Sequence, residues 1–492
     1  MNKLEKILGV SFPEKTFITN ATNATNKVKK DSIFFGLKGT QVHGSKYIKK
    51  ALDLGASIAI HDDPNYKSNL KNIFYVKNIT KFQNDSFKSS KLFFFLEELS
   101  DIKDRNLIIH AFTGTNGKTS SAFLCHQLIR KQKIKKDSLY IGTLGTQFNE
   151  EIINQSISTK TTPDLFEYFE ILKSYNIKND THICIEISSH ALDQQRLFDI
   201  GSMASSALLN IGKDHLDYHK NISAYRDTKF QIFNQSNLIN LIDDDLKPDG
   251  VNRGVQSLIS ISNKNKLSNI FYRIIESNIK KTIFEITTDK NFDNTRQKYK
   301  FSCSLFPEFN INNLVFAISS LYEGYDEFSK DEVNDLCYLK LPRGRSELIR
   351  DVPKNIIIDY AHNPDSFNLF LSSIKNYFNN LVIVFGCGGD RDKLKRPQML
   401  KIATEKSNQV IFTSDNSRNE SFYDIFIDAS NGNKIDDVLP IEDRKEAIIY
   451  ASTLIGDNDC LVILGKGHEE TQEIDGKIIR FSDHEVINEI YK

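Results

Sequence analysis

Short apolar runs separated by polar turns predict alternating strands and helices along most of this chain. In residues 1–98 the predicted strands are 32–37, 57–60 and 73–76, and a helix at 47–54 ends before Gly55. This alternation predicts a small α/β unit. The polar stretch 78–90 is predicted to be an edge or a linker.

A second block begins near residue 105 with the apolar strand 107–112, which leads into a glycine-rich loop and a helix at 120–132. Further strands are predicted at 183–187 and 207–210. Strands that alternate with helices predict a mostly parallel sheet. Residues 246–300 are polar and weakly patterned, so no element is predicted there.

A third block begins near residue 341 and contains four apolar strands at 355–359, 381–385, 409–413 and 460–464. Helix-length segments separate these strands, which predicts a second doubly wound sheet with ligands at the carboxyl ends of its strands. The sequence therefore predicts an α/β protein of three domains, 1–98, 99–340 and 341–492.

Composition narrows the classes of function. The 492 residues include 64 Lys+Arg and 64 Asp+Glu, so no overall charge favours nucleic acid or a membrane surface. The six cysteines form no CxxC pair, which favours buried free thiols in a reducing compartment. Without a long apolar run, we expect a soluble, cytoplasmic chain with no membrane insertion.

The strongest chemical signal is the loop Gly114, Thr115, Asn116, Gly117, Lys118 and Thr119, between a predicted strand and helix. Such loops present backbone N–H groups to phosphate oxygens. Lys118 adds a positive charge at the outer phosphates, and the Thr119 hydroxyl can reach Mg²⁺. A chance glycine turn is the less favoured alternative, although the generic phosphate loop has Gly where this chain has Phe112.

The G-T-N-G-K-T loop and a series of downstream motifs together resemble the Mur ligases and their folylpolyglutamate synthetase relatives. The matching segments are E-I-S-S-H-A-L-D-Q-Q-R (186–196), N-I-G-K-D-H-L-D-Y-H (210–219), Y-R-D-T-K (225–229), D-Y-A-H-N-P-D (359–365), G-C-G-G-D-R-D-K with K-R-P (386–397), D-N-S-R (415–418) and G-K-G-H-E (465–469). Their order and spacing extend over the second and third blocks.

The resemblance implies a three-domain ligase of cell-wall peptide synthesis: a UDP-MurNAc-binding domain, a central P-loop ATPase domain and a C-terminal Rossmann-like domain that binds the amino acid. ATP activates a carboxylate as an acyl phosphate, and an amine then attacks it. The implied substrates are UDP-MurNAc-L-Ala-D-Glu and meso-diaminopimelate, with no nucleic-acid partner. A monomer is expected.

The resemblance also implies roles for the ATP site. Lys118, Glu186, His215 and Lys229 are the implied catalytic residues, and Lys229 would carry a CO₂-derived carbamate. The implied Mg²⁺ ligands are Thr119, Glu186, His215 and carbamylated Lys229, in keeping with the oxygen ligands that this ion prefers. The other implied ATP contacts are Asn313, Arg345 and Asp359. Read alone, Lys229 would be a solvated helix lysine, and Asn313 and Asp359 would be ordinary capping or turn residues.

The implied acceptor contacts lie in the first two blocks. They are Thr25, Gln41, Thr161, Thr162, Ser188, Gln194 and Arg196. The uridine segment departs from the family pattern, because Ala24-Thr25-Asn26 stands for D-S-R and Lys160 for a frequent Asn.

The resemblance implies that six residues bind the incoming amino acid: Arg391, Asp415, Asn416, Arg418, Gly465 and Glu469. Family members that add meso-diaminopimelate carry D-N-P-R, whereas this chain has Ser417 in place of Pro. Arg418 would hold the distal carboxylate, which lysine lacks, and Glu469 would hold the distal ammonium. Without that anion a buried Arg418 would be costly.

Several alternatives stay open at this point. The chain could use L-lysine as its amino acid, or it could be a folylpolyglutamate-synthetase-like ligase. A catalytically silent nucleotide-binding scaffold is the rival from another class, and a P-loop motor or switch GTPase is disfavoured.

Overall fold

A computed structural model describes residues 2–492 apart from 40–41, 81–89, 103–104, 132–135, 153–160, 197–199, 201–202, 213–217, 235, 249–257, 290–295, 322–327 and 331. Gln41 and His215 lie outside the described residues, as does most of the predicted linker at 78–90. The described residues form two compact units. The first comprises 1–111, 135–205 and 231–238, and the second comprises 112–134, 206–230 and 239–492.

The N-terminal stretch forms a small α/β sheet, as predicted. Its elements are α1 (Lys3–Leu8), β1 (Asn20–Thr22), β2 (Ser32–Gly36), α2 (Ile48–Asp53), β3 (Ala56–His61), β4 (Ile73–Tyr75) and α3 (Lys91–Leu99). The strands pair in the order β1-β2-β3-β4 and are all parallel. All of β2 is buried, and Phe34 packs with Ile48 and Ala51 of α2.

The middle stretch contains the predicted nucleotide loop and its flanking elements. They are β5 (Ile108–Thr113), α4 (Lys118–Lys131), β6 (Ser138–Gly142), β7 (Gly145–Phe148), β8 (Glu151–Ile152), α5 (Leu165–Ser174), β9 (His182–Glu186), α6 (Ser189–Asp193), β10 (Met203–Leu208), α7 (Ile222–Phe230), β11 (Ser236–Asp243), β12 (Leu258–Ser262), β13 (Ile270–Ser277), β14 (Thr282–Asp289), β15 (Arg296–Cys303), α8 (Phe309–Ser320) and β16 (Val333–Asp335).

In the first unit the strand order is β5-β9-β6-β7-β8. In the second unit the order is β16-β15-β14-β13-β12-β11-β10. β13, β14 and β15 pair antiparallel, and a bulge lies between Ile274 and Glu276. The sequence predicted none of these three strands.

The C-terminal stretch is a doubly wound sheet, as predicted. Its elements are β17 (Glu347–Leu348), β18 (Asn355–Asp359), α9 (Pro364–Ile374), β19 (Leu381–Phe385), α10 (Lys395–Lys406), β20 (Gln409–Phe412), α11 (Phe422–Ser430), β21 (Val438–Pro440), α12 (Arg444–Thr453), β22 (Cys460–Leu464), β23 (Thr471–Ile474), β24 (Lys477–Arg480) and α13 (Asp483–Ile490). The strand order is β17-β18-β22-β19-β20-β21, and only the edge strand β17 pairs antiparallel.

Alternate residues of β18 explain why helices cover both faces of this sheet. Ile357 belongs to the core that contains α9, α10 and α11. Ile356 and Ile358 point to the core that contains α12 and α13. Side chains alternate along a strand, so the continuous apolar run of β18 supplies both cores. The prediction of an α/β fold with a doubly wound C-terminal sheet is confirmed.

The prediction that the cysteines are free thiols is confirmed, but the prediction that all of them are buried is wrong for one residue. All six cysteines are free, but Cys337 is exposed whereas the other five are buried. Among the described residues, no helix combines the length and the apolar composition that a membrane span requires.

A buried ion pair joins α12 to α13. Both side chains are fully buried, and Arg444 donates to the two carboxylate oxygens of Asp483 over 2.8 and 2.9 Å. Arg444 Nη2 also donates to the Leu464 carbonyl at the end of β22, over 3.0 Å. The pair therefore holds the turn that follows β22, where the G-K-G-H-E segment begins.

We expect Asp483→Asn to lower the free energy of unfolding by about 3–5 kcal/mol, because a buried guanidinium loses its counterion. Denaturant titration measures this change. The control is Glu489→Gln on the same helix, whose pair with Lys445 is half exposed and which should cost less than about 1 kcal/mol. Equal effects of the two substitutions would contradict the account.

Candidate active site

The predicted phosphate loop lies between β5 and α4, as the sequence indicated. Lys118 bends back over the loop, and its Nζ donates to the carbonyls of Gly114 (2.8 Å) and Thr115 (3.0 Å). Gly117 has φ +85°, and a Cβ there would collide with the Asn313 amide oxygen. The loop therefore needs glycine at this position both for its backbone conformation and for space.

The first residues of the N-I-G-K-D-H-L-D-Y-H segment (210–219) hold this loop in place. Asn210 accepts from the Asn116 N–H (2.8 Å) and donates to the Asn116 carbonyl (2.9 Å). The Thr115 hydroxyl accepts from the Gly212 N–H over 2.8 Å and lies 3.1 Å from the Tyr225 hydroxyl. Asn210 is thus a positioning residue for which no role was predicted.

Lys229 is buried beside the same loop. Its side chain is 1% exposed, and its Nζ donates to the Gly114 carbonyl over 2.9 Å and to Thr113 Oγ1 over 3.4 Å. The Tyr225 ring lies beneath the amine, with Nζ 4.8 Å from its centroid. The structure therefore brings Lys229 to the phosphate loop rather than leaving it on a solvated helix face.

Five of the predicted nucleotide contacts line one cavity of about 620 Å³ in the second unit. Its lining includes Asn116, Gly117, Asn313, Arg345 and Asp359. Gly114, Thr115, Lys118 and Thr119 are not among the lining residues. The cavity is large enough for a small-molecule ligand, and it combines amide, guanidinium and carboxylate groups.

Arg345 and Asp359 are both held by neighbours within that cavity. The Arg345 guanidinium lies 4.2 Å from the centroid of the Tyr360 ring. Asp359 accepts from the N–H groups of Ser346 (2.6 Å) and Ala361 (2.7 Å). Burial raises the pKa of Asp359, while Arg345 and these N–H donors oppose that shift.

In the first unit, Glu186 ends β9 and is fully buried. Its Oε1 accepts from the Tyr140 hydroxyl (2.5 Å) and the Thr143 N–H (2.8 Å). Its Oε2 accepts from the Thr143 hydroxyl over 3.1 Å. A side chain at Gly142 would collide with the Glu186 carboxylate, so the strand pair β6–β9 fixes this group.

Four of the predicted acceptor residues meet around Thr162. Its hydroxyl donates to the Glu186 carbonyl and accepts from the Ser188 N–H, each over 2.9 Å. Arg196 donates through Nη1 to the Thr162 carbonyl (3.1 Å) and through Nε to Gln194 (2.8 Å). Thr161 directly precedes Thr162, and its hydroxyl oxygen lies 3.4 Å from that of Thr143.

Thr25 is not joined to this cluster by any hydrogen bond among the described residues. It opens a 3₁₀ turn, Thr25–Lys27. The 3₁₀ turn instead contacts α5 through Lys27, whose Nζ lies 3.0 Å from Oε1 of Glu167 in the first turn of that helix. No role was predicted for Lys27, because an isolated lysine carries no signal of a distant partner.

In the C-terminal sheet, the D-N-S-R and G-K-G-H-E segments meet around a buried lysine. Lys466 is fully buried, and its Nζ lies 3.0 Å from Glu469 Oε2, 3.2 Å from Asn416 Oδ1 and 3.9 Å from Asp415 Oδ1. Asn416 also donates to Glu469 Oε2 over 3.1 Å. Lys466 belongs to the matched G-K-G-H-E segment, but the resemblance implied no role for it.

Glycines shape the surrounding turns. Gly465 has φ +107°, and a Cβ there would lie 2.7 Å from Asp415 Oδ2. A Cβ at Gly388 would lie 3.1 Å from Arg418 Nη1 and 3.5 Å from Arg391 Cγ. The two predicted arginines therefore lie beside the same glycine. Arg391 is exposed, whereas Arg418 is half-buried.

Arg396, in the K-R-P segment, supports these turns. Its buried guanidinium pairs with Glu420 (2.8 Å) and Asp428 (2.6 Å) and donates to the Gly388 carbonyl over 3.0 Å. The pKa of Glu420 falls to about 2, chiefly through the Arg396 hydrogen bond. Arg396 thus holds the loop that carries Arg391.

Models of one protein family match most of the chain. The chain matches family models described as "Mur ligase family, catalytic domain" over residues 18–87, "Mur ligase middle domain" over 112–321 and "Mur ligase, glutamate ligase domain" over 344–467. The chain belongs to the Mur ligase family.

Two curated relatives of this Mur ligase are named UDP-N-acetylmuramoyl-L-alanyl-D-glutamate–2,6-diaminopimelate ligase. The one from Clostridium perfringens is 33% identical over 97% of this chain and 96% of the relative. The one from Wigglesworthia glossinidia brevipalpis is 33% identical over 95% and 93%. A solved structure of a ligase with the same name is 27% identical, with a TM-score of 0.64 over 99% of this Mur ligase and 98% of that chain.

We expect Gly117→Ala to weaken binding of an ATP analogue at least about tenfold, because the added methyl displaces Asn313 and opposes the positive φ. Isothermal titration calorimetry measures the affinity. The control is Gly432→Ala, which shares a positive φ (+75°) but has nothing within 4 Å of the added carbon. Unchanged affinity in Gly117→Ala would show that the nucleotide binds elsewhere.

Proposed function

We propose that this Mur ligase uses ATP to add meso-diaminopimelate to UDP-N-acetylmuramoyl-L-alanyl-D-glutamate in peptidoglycan synthesis, acting in the cytoplasm as a monomer. Curated relatives with this activity in their names match nearly the full length of the chain. The observation that carries the amino-acid assignment is that Asn416 contacts both residues: its side chain donates to Glu469, and its backbone carbonyl lies 3.4 Å from Arg418 Nη1. A carboxylate and a guanidinium there suit a side chain that ends in both an ammonium and a carboxylate.

In this proposal each of three segments binds a different substrate. Residues 1–98 bind the UDP-MurNAc part, 99–340 bind ATP and 341–492 bind the amino acid. Thr25, Gln41, Thr161, Thr162, Ser188, Gln194 and Arg196 contact the acceptor. Arg391, Asp415, Asn416, Arg418, Gly465 and Glu469 contact meso-diaminopimelate.

The reaction proceeds in two steps. The acceptor carboxylate attacks the γ-phosphorus of ATP, which releases ADP and forms an acyl phosphate. The diaminopimelate amine then attacks the acyl carbon, and phosphate leaves as the amide forms. Lys118 and Arg345 neutralise charge on the transferring phosphoryl group. Asn313 and Asp359 hold the nucleoside part of ATP.

Mg²⁺ would neutralise the phosphate oxygens, held by Thr119, Glu186, His215 and carbamylated Lys229. Hydroxyl and carboxylate oxygens suit this ion. A carbamate on Lys229 keeps one N–H, which can retain the bond to the Gly114 carbonyl while the new carboxylate supplies oxygen ligands. That bond and the burial of Lys229 beside the loop support its modification.

The assay is ADP release with UDP-MurNAc-L-Ala-D-Glu, Mg²⁺, bicarbonate and either meso-diaminopimelate or L-lysine. We expect release with meso-diaminopimelate only, and Arg418→Gln should lower kcat/KM for it by about 10- to 150-fold, the value of a charged hydrogen-bonded contact. Arg480→Gln, which removes an exposed arginine of β24, is the control. Release with lysine would overturn the amino-acid assignment, and release with neither amine would overturn the ligase proposal.

Removal of CO₂ tests the carbamate. We expect activity to fall in CO₂-free buffer and to return with bicarbonate, because the unmodified amine cannot bind a cation. Carbon-13 NMR after addition of ¹³C-bicarbonate should show a carbamate signal that is missing in Lys229→Arg. An identical spectrum in the variant, or activity indifferent to CO₂, would contradict the modification.

A further inference from the structure

Arg418 has an internal partner in the hairpin β23–β24. Glu473 Oε2 lies 3.3 Å from Arg418 Nε, and the two side chains are 39% and 21% exposed. The pair is therefore accessible to solvent, yet it lies at the edge of the cluster formed by Asn416, Lys466 and Glu469.

The backbone fixes this pairing independently of the two side chains. Arg418 has φ +53°, an uncommon conformation for a residue with a side chain. Its N–H donates to the Glu473 carbonyl over 3.0 Å, and the Glu473 N–H donates to Asn416 Oδ1 over 2.9 Å. A change confined to the Glu473 carboxylate leaves these backbone contacts in place.

The guanidinium has two distinct sides. Nη1 donates to the Gly389 carbonyl over 2.7 Å and lies 3.4 Å from the Asn416 carbonyl. Nη2 has no hydrogen-bond partner in the part of the chain that the structure describes. The edge formed by Nε and Nη2 is thus the one that a carboxylate can bind with two parallel bonds, and the Glu473 carboxylate lies beside its Nε end as an ion pair.

We propose that the Glu473 carboxylate competes with the distal carboxylate of the incoming amino acid for Arg418, and so limits the preference for a carboxylate-bearing side chain over a plain aminoalkyl one. This inference rests on the proposed function. Glu473 partly neutralises Arg418 before the amino acid binds. Part of the attraction between Arg418 and the ligand therefore replaces an existing ion pair, whereas binding of lysine leaves that pair intact.

Glu473→Gln tests the competition, because it removes the charge and keeps the shape. We expect the KM for meso-diaminopimelate to fall roughly two- to fivefold, the range for a partly exposed ion pair. The ratio of kcat/KM for meso-diaminopimelate over L-lysine should widen by a similar factor, while the KM for ATP stays the same. Glu473→Ala should change these constants in the same direction.

The control is Glu485→Gln, which removes the same charge from an exposed pair with Arg480 and should match the wild type. An unchanged or higher KM for meso-diaminopimelate in both Glu473 variants would overturn the inference and show that Glu473 orients Arg418 or does nothing. If the wild type itself releases no ADP with meso-diaminopimelate, the proposed function fails first. The two failures are therefore distinguishable.

Discussion

The arrangement of the C-terminal site depends on one buried positive charge. Lys466 has no exposure to solvent and lies within 4 Å of the carboxylates of both Asp415 and Glu469. Burying an ammonium without compensation costs several kcal/mol, and two neighbouring carboxylates would repel each other without it. Lys466 therefore allows two acidic side chains to face the same small region, and Asn416 completes the network between them.

The same site is connected to the nucleotide cavity through Tyr360. Its ring lies against the Arg345 guanidinium, and its hydroxyl donates to Glu469 Oε1 over 3.4 Å. Burial raises the pKa of Tyr360 to about 12, so the hydroxyl stays protonated and can donate at any physiological pH. One aromatic side chain thus contacts a residue proposed to bind ATP and a residue proposed to bind the amino acid.

Most of the fold could be predicted because its strands are short, apolar and bounded by turn residues. The fold class and the family are confirmed, and strands such as β18 and β22 lie where the pattern indicated. The antiparallel strands β13–β15 escaped prediction because β13 is partly exposed and a bulge at Ile274–Glu276 breaks its alternation. A local pattern cannot indicate such pairing.

The site was less accessible to sequence reasoning than the fold. Motif matches indicated Asn416, Arg418 and Glu469, and their shared network agrees with that grouping. They included Lys466 without a role and did not indicate Lys27 or Glu473, because the importance of these residues comes from partners that only the folded chain brings near. The boundaries of the three domains and the roles of the individual site residues stay predictions.

The most direct test of the account is a crystal structure of the chain with ADP and meso-diaminopimelate bound. The account predicts the distal carboxylate of the amino acid on the Nε–Nη2 edge of Arg418, with the Glu473 side chain displaced and the distal ammonium within hydrogen-bond distance of Glu469. A distal carboxylate directed away from Arg418, with the Glu473 pair intact, would contradict it.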